Sequence, residues 1–357
     1  MQSKTKISTG QFFVVIMLSR IMHVMLYKAN TFTSGTPLMV GLLISTAIEA
    51  LLAVPVFIFL VKKDDIIESA FANKKLCLAL KAALAVYFTF VSGITLYLFA
   101  DFMHTEFIHI ATPVWIVGAL ALAGAYCARL GIEGIARAGA AVFWVFVALL
   151  VLMAVVNEGR YEPLNLVPVR QSDYKMMWDY VIKDISSCRW LPLTVALAGY
   201  LKQGAQKAAV GYLVTKLAII EGVLLLITMI LWTFVEVPGY PILALGVYAK
   251  TDLIRQFNAI NMFVWVLNCV LVNGVYLNVA SALAKKRNWL SVLVPAAIAA
   301  TFAMLCYKHV VMLTQDVQNV IMFAGILIIG VLVPLAAVIC WRVKKLCEGL
   351  RQSSYQQ

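Results

Sequence analysis

The sequence predicts an all-α integral membrane protein that crosses the bilayer about ten times. Of its 357 residues, 63% are hydrophobic and 13% are charged, and the mean hydropathy is +0.91. Soluble domains are about 25% charged. The apolar residues fall into ten runs, most of them long enough to cross the hydrocarbon as a helix. Two runs, the first and the sixth, are interrupted by polar residues or by proline and glycine.

The ten runs define the predicted spans and the orientation of the chain. An even number of spans places both termini on one side of the membrane. The segments on that side carry about twice as many Lys and Arg residues as the others, which makes it the cytoplasmic side. The net charge of +12 is explained by these loops and gives no reason to expect nucleic acid as a partner. In order, the spans are 11–28, 37–61, 76–100, 111–128, 138–156, 185–203, 209–235, 257–283, 289–307 and 317–341.

The spans divide into two halves of five, separated by the longest loop. Because five is odd, the halves have opposite orientations, as in an inverted-topology repeat. Within the loop, Tyr174 to Lys183 predicts a short helix on the membrane, with Tyr174, Trp178 and Tyr180 as interfacial anchors. The single membrane domain, 1–357, then consists of 1–156 (first half), 157–184 (outer loop), 185–341 (second half) and 342–357 (cytoplasmic tail).

Span six contains an apolar run of only twelve residues, Trp190 to Leu201. A regular crossing needs about 20. Pro192 removes a backbone donor and Gly199 loosens the helix further along. Non-helical backbone at membrane depth persists only where protein buries it or where it lines a watery cavity. The run therefore predicts an interrupted span with a ligand site.

Span one carries the corresponding polar residues, Ser19, Arg20 and His23. Arg20 and His23 are three residues apart and share one face of a helix. Two interpretations remain open. The pair lines a cavity and binds a carboxylate or a proton, or Arg20 pairs with an acid from another helix and holds the spans together.

Two acidic residues lie deep in other spans. Glu49, one turn after Ser45 in span two, is a candidate partner for Arg20 or a protonatable group. Glu221, near the middle of span seven, cannot easily reach water, whereas Lys216 is expected to extend to the cytoplasmic surface. Glu49 and Glu221 are thus candidates for proton or ion coupling, or for structural ion pairs.

Enzyme and metal signatures are absent from the sequence. It contains no G-x-S-x-G, H-E-x-x-H, P-loop or Rossmann motif, so we expect neither an enzyme nor a bound cofactor. The seven cysteines are scattered and include no C-x-x-C pair. This pattern predicts neither a disulfide framework nor a metal site.

Two stretches carry a family resemblance. The chain opens with KISTGQFF at 6–13 and continues into SRI at 19–21; later it has GYPI at 239–242 and LIRQFNAINMFVW at 253–265. With ten spans in a chain of this length, it resembles the spore germination permease family, the B subunits of GerAB-type germinant receptors. That family belongs to the amino acid–polyamine–organocation superfamily.

The resemblance implies a LeuT-type fold, a 5+5 inverted repeat with interrupted helices one and six. A small nutrient such as an amino acid would bind between them. The protein would reside in the inner membrane of a spore-forming bacterium and act with a larger A subunit and a lipoprotein C subunit. Relatives usually have a glycine-rich break in helix one, where a carboxylate meets backbone amides. Because Ile21 to Met25 contains no glycine, three alternatives stay open: His23 and Arg20 replace that break, the ligand differs, or binding is lost.

The functional prediction is a nutrient-sensing subunit of a germinant receptor. The alternatives are a stand-alone proton-coupled amino acid transporter and an assembly subunit that binds no ligand. The predicted ligand-binding residues are Ser19, Arg20, His23, Leu193, Thr194, Ala198 and Gly199.

Overall fold

The described part of the protein is almost entirely helical. The computed structural model describes residues 7–26, 35–62, 74–107, 112–167, 173–231, 240–247, 253–281, 288–308 and 315–354. Gly239, Lys6 and part of the outer loop, at 168–172, lie outside these ranges. The α-helices are α1 (Thr9–Met25), α2 (Gly35–Leu52), α3 (Val54–Val61), α4 (Lys74–Glu106), α5 (Pro113–Leu130), α6 (Ile132–Val156), α7 (Asp173–Ser186), α8 (Trp190–Leu197), α9 (Ala205–Leu231), α10 (Pro241–Val247), α11 (Leu253–Ala280), α12 (Trp289–Tyr307), α13 (Gln315–Gly325) and α14 (Val333–Ser354).

Seven helices in these ranges are long and apolar enough to cross a membrane, and α2 with α3, bent by 44°, makes an eighth. The predicted count of ten is not reached on these criteria, and two spans account for the difference. Helix α1 has 17 residues and rises about 26 Å, slightly less than the hydrocarbon core. Span six is divided into short helices. The ten crossings and the inverted repeat therefore stay predictions.

The backbone of span one is not interrupted, so that prediction was wrong. Helix α1 begins with a capping box, in which Ser8 Oγ accepts the Gln11 N–H and Gln11 Oε1 accepts the Ser8 N–H. It then continues to Met25 through Ser19, Arg20 and His23. No glycine or proline follows Gln11 in this helix, and buried polar side chains alone do not unwind a helix that gives them partners.

Span six is broken before Pro192 and again at Gly199, but not at Pro192 itself. Helix α7 ends at Ser186, a turn occupies 187–189, and α8 then forms a regular helix from Trp190 to Leu197. A 3₁₀ turn covers Ala198–Tyr200. Pro192 does not break α8 because it lies in the first turn, where the N–H it lacks has no partner within the helix. The first irregular stretch therefore precedes the apolar run, whereas the second lies near the end of that run and includes Gly199.

The main helices pack in two groups of four. In one group, α1, α2, α7 and α9 lie together. Of these, α1, α2 and α9 correspond to spans one, two and seven, whereas α7 lies mainly in the predicted outer loop and enters predicted span six only at 185–186. In the other, α4, α5, α11 and α12 all contact one another, and they correspond to spans three, four, eight and nine. Helix α11 also contacts α1, which is buried along most of its length. The broken span therefore lies among helices and not at the edge of the bundle.

Helix α7 covers the short helix predicted at Tyr174 to Lys183. Tyr174 and Trp178 are exposed on it, and their role as interfacial anchors stays a prediction. Tyr180 is buried, so its prediction as an anchor was wrong. Its ring packs against α2 at Gly41, where an added Cβ would lie 3.2 Å from the ring. The helix therefore has one face packed onto the bundle.

The last helical segment covers α8 from the outside. A π-helical stretch, Ile326–Leu332, joins α13 to α14, and Gly330 within it approaches Leu191 and Pro192. An added Cβ at Gly330 would lie 2.8 Å from Leu191 Cβ, closer than ordinary contact. The segment continues as α14 to Ser354, beyond the predicted end of span ten at 341.

Candidate functional site

Four charged side chains from four spans meet at the break in span six. Arg20 of α1 forms an ion pair with Oδ1 of Asp184, at the end of α7. Lys216 of α9 donates to Oδ2 of Asp184 at 2.7 Å and also forms an ion pair with Glu49 of α2. All four side chains are at most 2% exposed. We call Arg20, Asp184, Lys216 and Glu49 the ion network.

Uncharged groups complete the hydrogen bonds of the two carboxylates. Ser45 Oγ donates to Asp184 Oδ2 at 2.8 Å, and Trp190 Nε1 donates to Glu49 Oε1 at 2.5 Å. Arg20 also donates to Ser187 Oγ, and that hydroxyl lies 2.6 Å from the carbonyl oxygen of Asp184. All four carboxylate oxygens are thus engaged, as buried charges require.

The ion network fixes the break relative to its neighbours. Its two cations and two anions balance, so no net charge is buried by these four groups. Asp184 precedes the break and Trp190 follows it, and both are bound to side chains of other helices. The break at 187–189 is therefore held from α1, α2 and α9 together.

Two expectations for these residues were wrong. Glu49 pairs with Lys216 and not with Arg20. Lys216 does not extend to the cytoplasmic surface, since its side chain is fully buried. That expectation assumed a lysine facing lipid, whereas this one faces two carboxylates inside the bundle. Glu221, five residues later, is partly buried and lies outside the ion network; its Oε2 has no hydrogen-bond partner in the ranges described.

The predicted ligand residues of span one lie beside the ion network. Ser19 is buried, and its hydroxyl lies 2.6 Å from the hydroxyl of Tyr276 in α11. Arg20 is engaged with Asp184 and Ser187, as the structural interpretation of this residue expects. His23 is one turn further along α1 and only partly buried. A ligand role for these three side chains stays a prediction.

The predicted ligand residues of span six are spread along α8 and beyond it. Leu193 and Thr194 are fully buried, and the Thr194 hydroxyl donates to the carbonyl oxygen of Trp190 within the same helix. Ala198 packs in a small cluster with Phe59 and Val338, and Gly199 is exposed. The structure therefore places Ser19 and Arg20 next to the break at 187–189, and places Ala198 and Gly199 at the opposite end of α8.

That opposite end is joined to the start of the chain. Ile7 N–H donates to the carbonyl oxygen of Tyr200 at 2.8 Å, and Lys202 N–H donates to the carbonyl oxygen of Ile7 at 3.2 Å. These two backbone bonds make an isolated parallel bridge between Ile7 and Leu201. The beginning of span one and the end of span six are thus held together just outside their helices.

Arg189, in the break itself, was missed by sequence reasoning. Its side chain is 5% exposed, and its Nη1 donates to Thr95 Oγ1 of α4 at 3.2 Å. Arginine at the polar end of a short apolar run looks like a residue at the membrane surface, and only the fold shows that this one points into the bundle. In the part of the chain that the structure describes, no group of three His, Cys, Asp or Glu side chains could hold a metal ion.

A known protein family matches most of the chain. A family model described as "Spore germination protein", the spore permeases, matches residues 6–286. The match includes α1, the ion network and the break in span six, and it ends before α12. No curated protein matches the sequence.

Proposed function

The chain belongs to the spore germination permease family, and from this premise we propose that it is the nutrient-sensing subunit of a germinant receptor. It binds a small nutrient such as an amino acid in the crevice between spans one and six, without converting it chemically. Its place is the inner membrane of a spore-forming bacterium, with both termini in the cytoplasm. An A subunit and a lipoprotein C subunit read its conformation.

The observation that carries this proposal is the break at 187–189, enclosed by helices and held by the ion network. A broken span exposes backbone polar groups that a regular helix would satisfy internally, and such groups line ligand sites in transporter folds. The side chains that hold this break come from α1, α2 and α9. A ligand that enters here contacts the parts of the bundle that must move relative to one another.

The packing of the helices supports a repeat of five plus five spans. An inverted repeat of this size relates span n to span n + 5. The repeat therefore relates spans one and two to spans six and seven, and spans three and four to spans eight and nine. Each of these two sets of four spans contains both members of its repeat-related pairs. In the structure, α9 of span seven contacts α1 of span one and α2 of span two, and α8 of span six contacts α1 and α3. The helices α4, α5, α11 and α12, of spans three, four, eight and nine, form the other set. The ion network joins the first set through Arg20 with Asp184 (spans one and six) and Glu49 with Lys216 (spans two and seven).

The bridge between Ile7 and Leu201 suggests how binding is transmitted. A ligand shifts a conformational equilibrium only if it binds one state more tightly than the other. Opening the cytoplasmic end of the crevice would break the two backbone bonds of this bridge. In our proposal, the ligand favours one state of this end, and the partner subunits respond to that state.

The test is ligand binding and transport by the purified full chain. Its melting temperature is measured in detergent with a panel of amino acids, nucleosides and sugars, because a ligand that binds only the folded protein raises it. Uptake of each hit is then measured in proteoliposomes. Saturable binding without net flux supports a sensor. A folded chain that binds nothing, yet assembles with A and C subunits, contradicts sensing and supports the assembly role.

The second candidate, a proton-coupled amino acid transporter, is favoured by the buried carboxylates. Ionisable side chains within a membrane frequently mark proton pathways. The side chains of Glu49 and Asp184 are buried between helices. Glu221, five residues after Lys216 on α9, is partly buried. Uptake driven by a pH gradient, lost in Glu49→Gln or Glu221→Gln but retained in Arg137→Gln, would favour this candidate over the sensor.

A further inference from the structure

Arg189 is a buried cation without an acidic partner among the residues described. Its side chain is as buried as those of the ion network, at 5% exposed. Its only hydrogen bond in these ranges goes from Nη1 to the neutral Thr95 hydroxyl, and its Nε has no acceptor. A buried charge is stable only when it is paired and its donors are satisfied. Arg189 lacks both.

The ion network cannot supply the missing anion. Its two cations already balance its two anions, and both oxygens of Asp184 and of Glu49 accept hydrogen bonds from other groups. Adding Arg189 leaves the interior around the break with one positive charge in excess. A guanidinium binds planar anions such as carboxylate through two parallel hydrogen bonds. The excess charge therefore suits a carboxylate that enters from outside the protein.

A second unsatisfied group lies near Arg189. The Tyr87 hydroxyl, on α4, is buried and has no hydrogen-bond partner in the described part of the protein. Tyr87 lies on the same helix as Thr95, whose hydroxyl accepts the hydrogen bond of Arg189. Gly325 packs against the Tyr87 ring so closely that an added Cβ would collide with the ring. This contact holds the Tyr87 ring in place. Arg189 and Tyr87 thus offer donors to one region between α1, α4 and the break.

The backbone of span one is not available to bind a carboxylate, so a side chain has to bind it. Helix α1 is continuous from Thr9 to Met25, so its internal N–H groups are bonded to carbonyls within the helix. They are not free to bind a carboxylate. Arg20, the other cation of the region, is engaged with Asp184 and Ser187. Arg189, unlike Arg20, therefore has no carboxylate partner in the described region and keeps its charge available for a ligand.

We propose that Arg189 binds the carboxylate of the ligand, with the Tyr87 hydroxyl as a second donor. The inference rests on the proposed function and adds to it the residue that holds the ligand and the requirement that the ligand carries a carboxylate. It also places the charged end of the ligand at the break in span six instead of on helix one. Binding would neutralise the excess charge and stabilise the ligand-bound state.

The experiment compares carboxylates with their neutral amides on the full chain in detergent. The probes are the twenty standard L-amino acids, the C-terminal amide of each one that binds, and inosine and glucose as uncharged molecules. Affinities are measured for wild type, Arg189→Gln, Arg189→Lys and Tyr87→Phe. Arg137→Gln is the matched control, because Arg137 is exposed and paired with Glu133. The melting temperature without ligand shows whether each variant is folded.

The expected result is that an amino acid binds wild type and that its amide does not. Arg189→Gln should weaken binding by roughly 30-fold or more, as losing one partner of a buried charge pair does. Arg189→Lys should retain part of the affinity, and Tyr87→Phe should have a smaller effect than Arg189→Gln. Without ligand, Arg189→Gln should melt at or above the wild-type temperature, since it removes an unpaired buried charge.

The outcomes separate this inference from the proposed function. Equal binding of an acid and its amide to wild type overturns the inference and leaves sensing intact, and this comparison needs no variant. The same holds if inosine or glucose alone binds, or if Arg189→Gln binds like wild type. If the folded wild type binds no probe, both the sensing function and the inference are contradicted.

Discussion

Nζ of Lys216 lies 2.7 Å from Oδ2 of Asp184, and neither side chain is exposed. This contact joins α9 to the end of α7 at the break in span six. The same ammonium group also pairs with Glu49, so one cation holds two carboxylates from two different helices. The position of the break therefore depends on a few buried charges, and their removal has measurable consequences.

We expect Lys216→Met to destabilise the protein strongly. The substitution leaves Glu49 and Asp184 facing a single remaining cation, Arg20, and breaking a buried pair costs about 3–5 kcal/mol. The measurement is the melting temperature in detergent. The double variant Lys216→Met/Glu49→Gln restores the charge balance and should be more stable than the single variant. A single variant as stable as wild type would show that the ion network does not hold the break.

Arg20 should act through structure and not through direct ligand contact. Arg20→Ala is expected to lower the melting temperature because Asp184 loses one of its two cations. In Arg20→Ala/Asp184→Asn the charges balance again, and we expect that variant to keep the ligand affinity of wild type. Loss of affinity in the folded double variant, measured by titration with a ligand found in the panel, would instead assign Arg20 to the ligand site.

The Trp190 indole should contribute through its hydrogen bond as well as its volume. Trp190→Phe removes the donor to Glu49 Oε1, and a buried acceptor that loses a partner costs about 1–3 kcal/mol. Trp265→Phe is the matched control, because Trp265 is equally buried and its Nε1 has no partner in the ranges described. The melting temperature should fall further in Trp190→Phe. Equal losses would mean that only packing changes at both sites.

Local patterns in the sequence were enough to predict the class of protein and the broken span. Long apolar runs indicate membrane helices because each run satisfies its own backbone. The twelve-residue run after Arg189 indicated a break for the same reason, since it is too short to cross. Pro192 did not locate the break, because the effect of a proline differs between the first turn and the interior of a helix. The sequence does not mark which of these it occupies.

Partner choice inside the bundle could not be predicted from the sequence. Glu49 was a candidate partner for Arg20, yet it pairs with Lys216, 167 residues away along the chain. The sequence of an apolar helix does not show whether its lysine faces lipid or a neighbouring helix. The packing of the helices determines which of the two it faces. Arg189 was missed for the same reason, since its burial results from the turn at 187–189 and from Thr95 on α4.

The contact between the last helical segment and α8 should be sensitive to a single methyl group. In Gly330→Ala the new Cβ would lie 2.8 Å from Leu191 Cβ and 3.1 Å from Pro192, and neither can move away easily within a packed helix. Overpacking of this kind costs about 1–3 kcal/mol, so the melting temperature should fall.

Gly222→Ala, on α9, is the matched control because nothing lies within 4 Å of its added Cβ. Alanine is also the better helix former, so this variant should be at least as stable as wild type. If Gly330→Ala behaves like Gly222→Ala, the π-helical stretch is not packed on α8. If only Gly330→Ala is destabilised, residues 326–332, which lie outside the family match, are needed to hold the broken span in place.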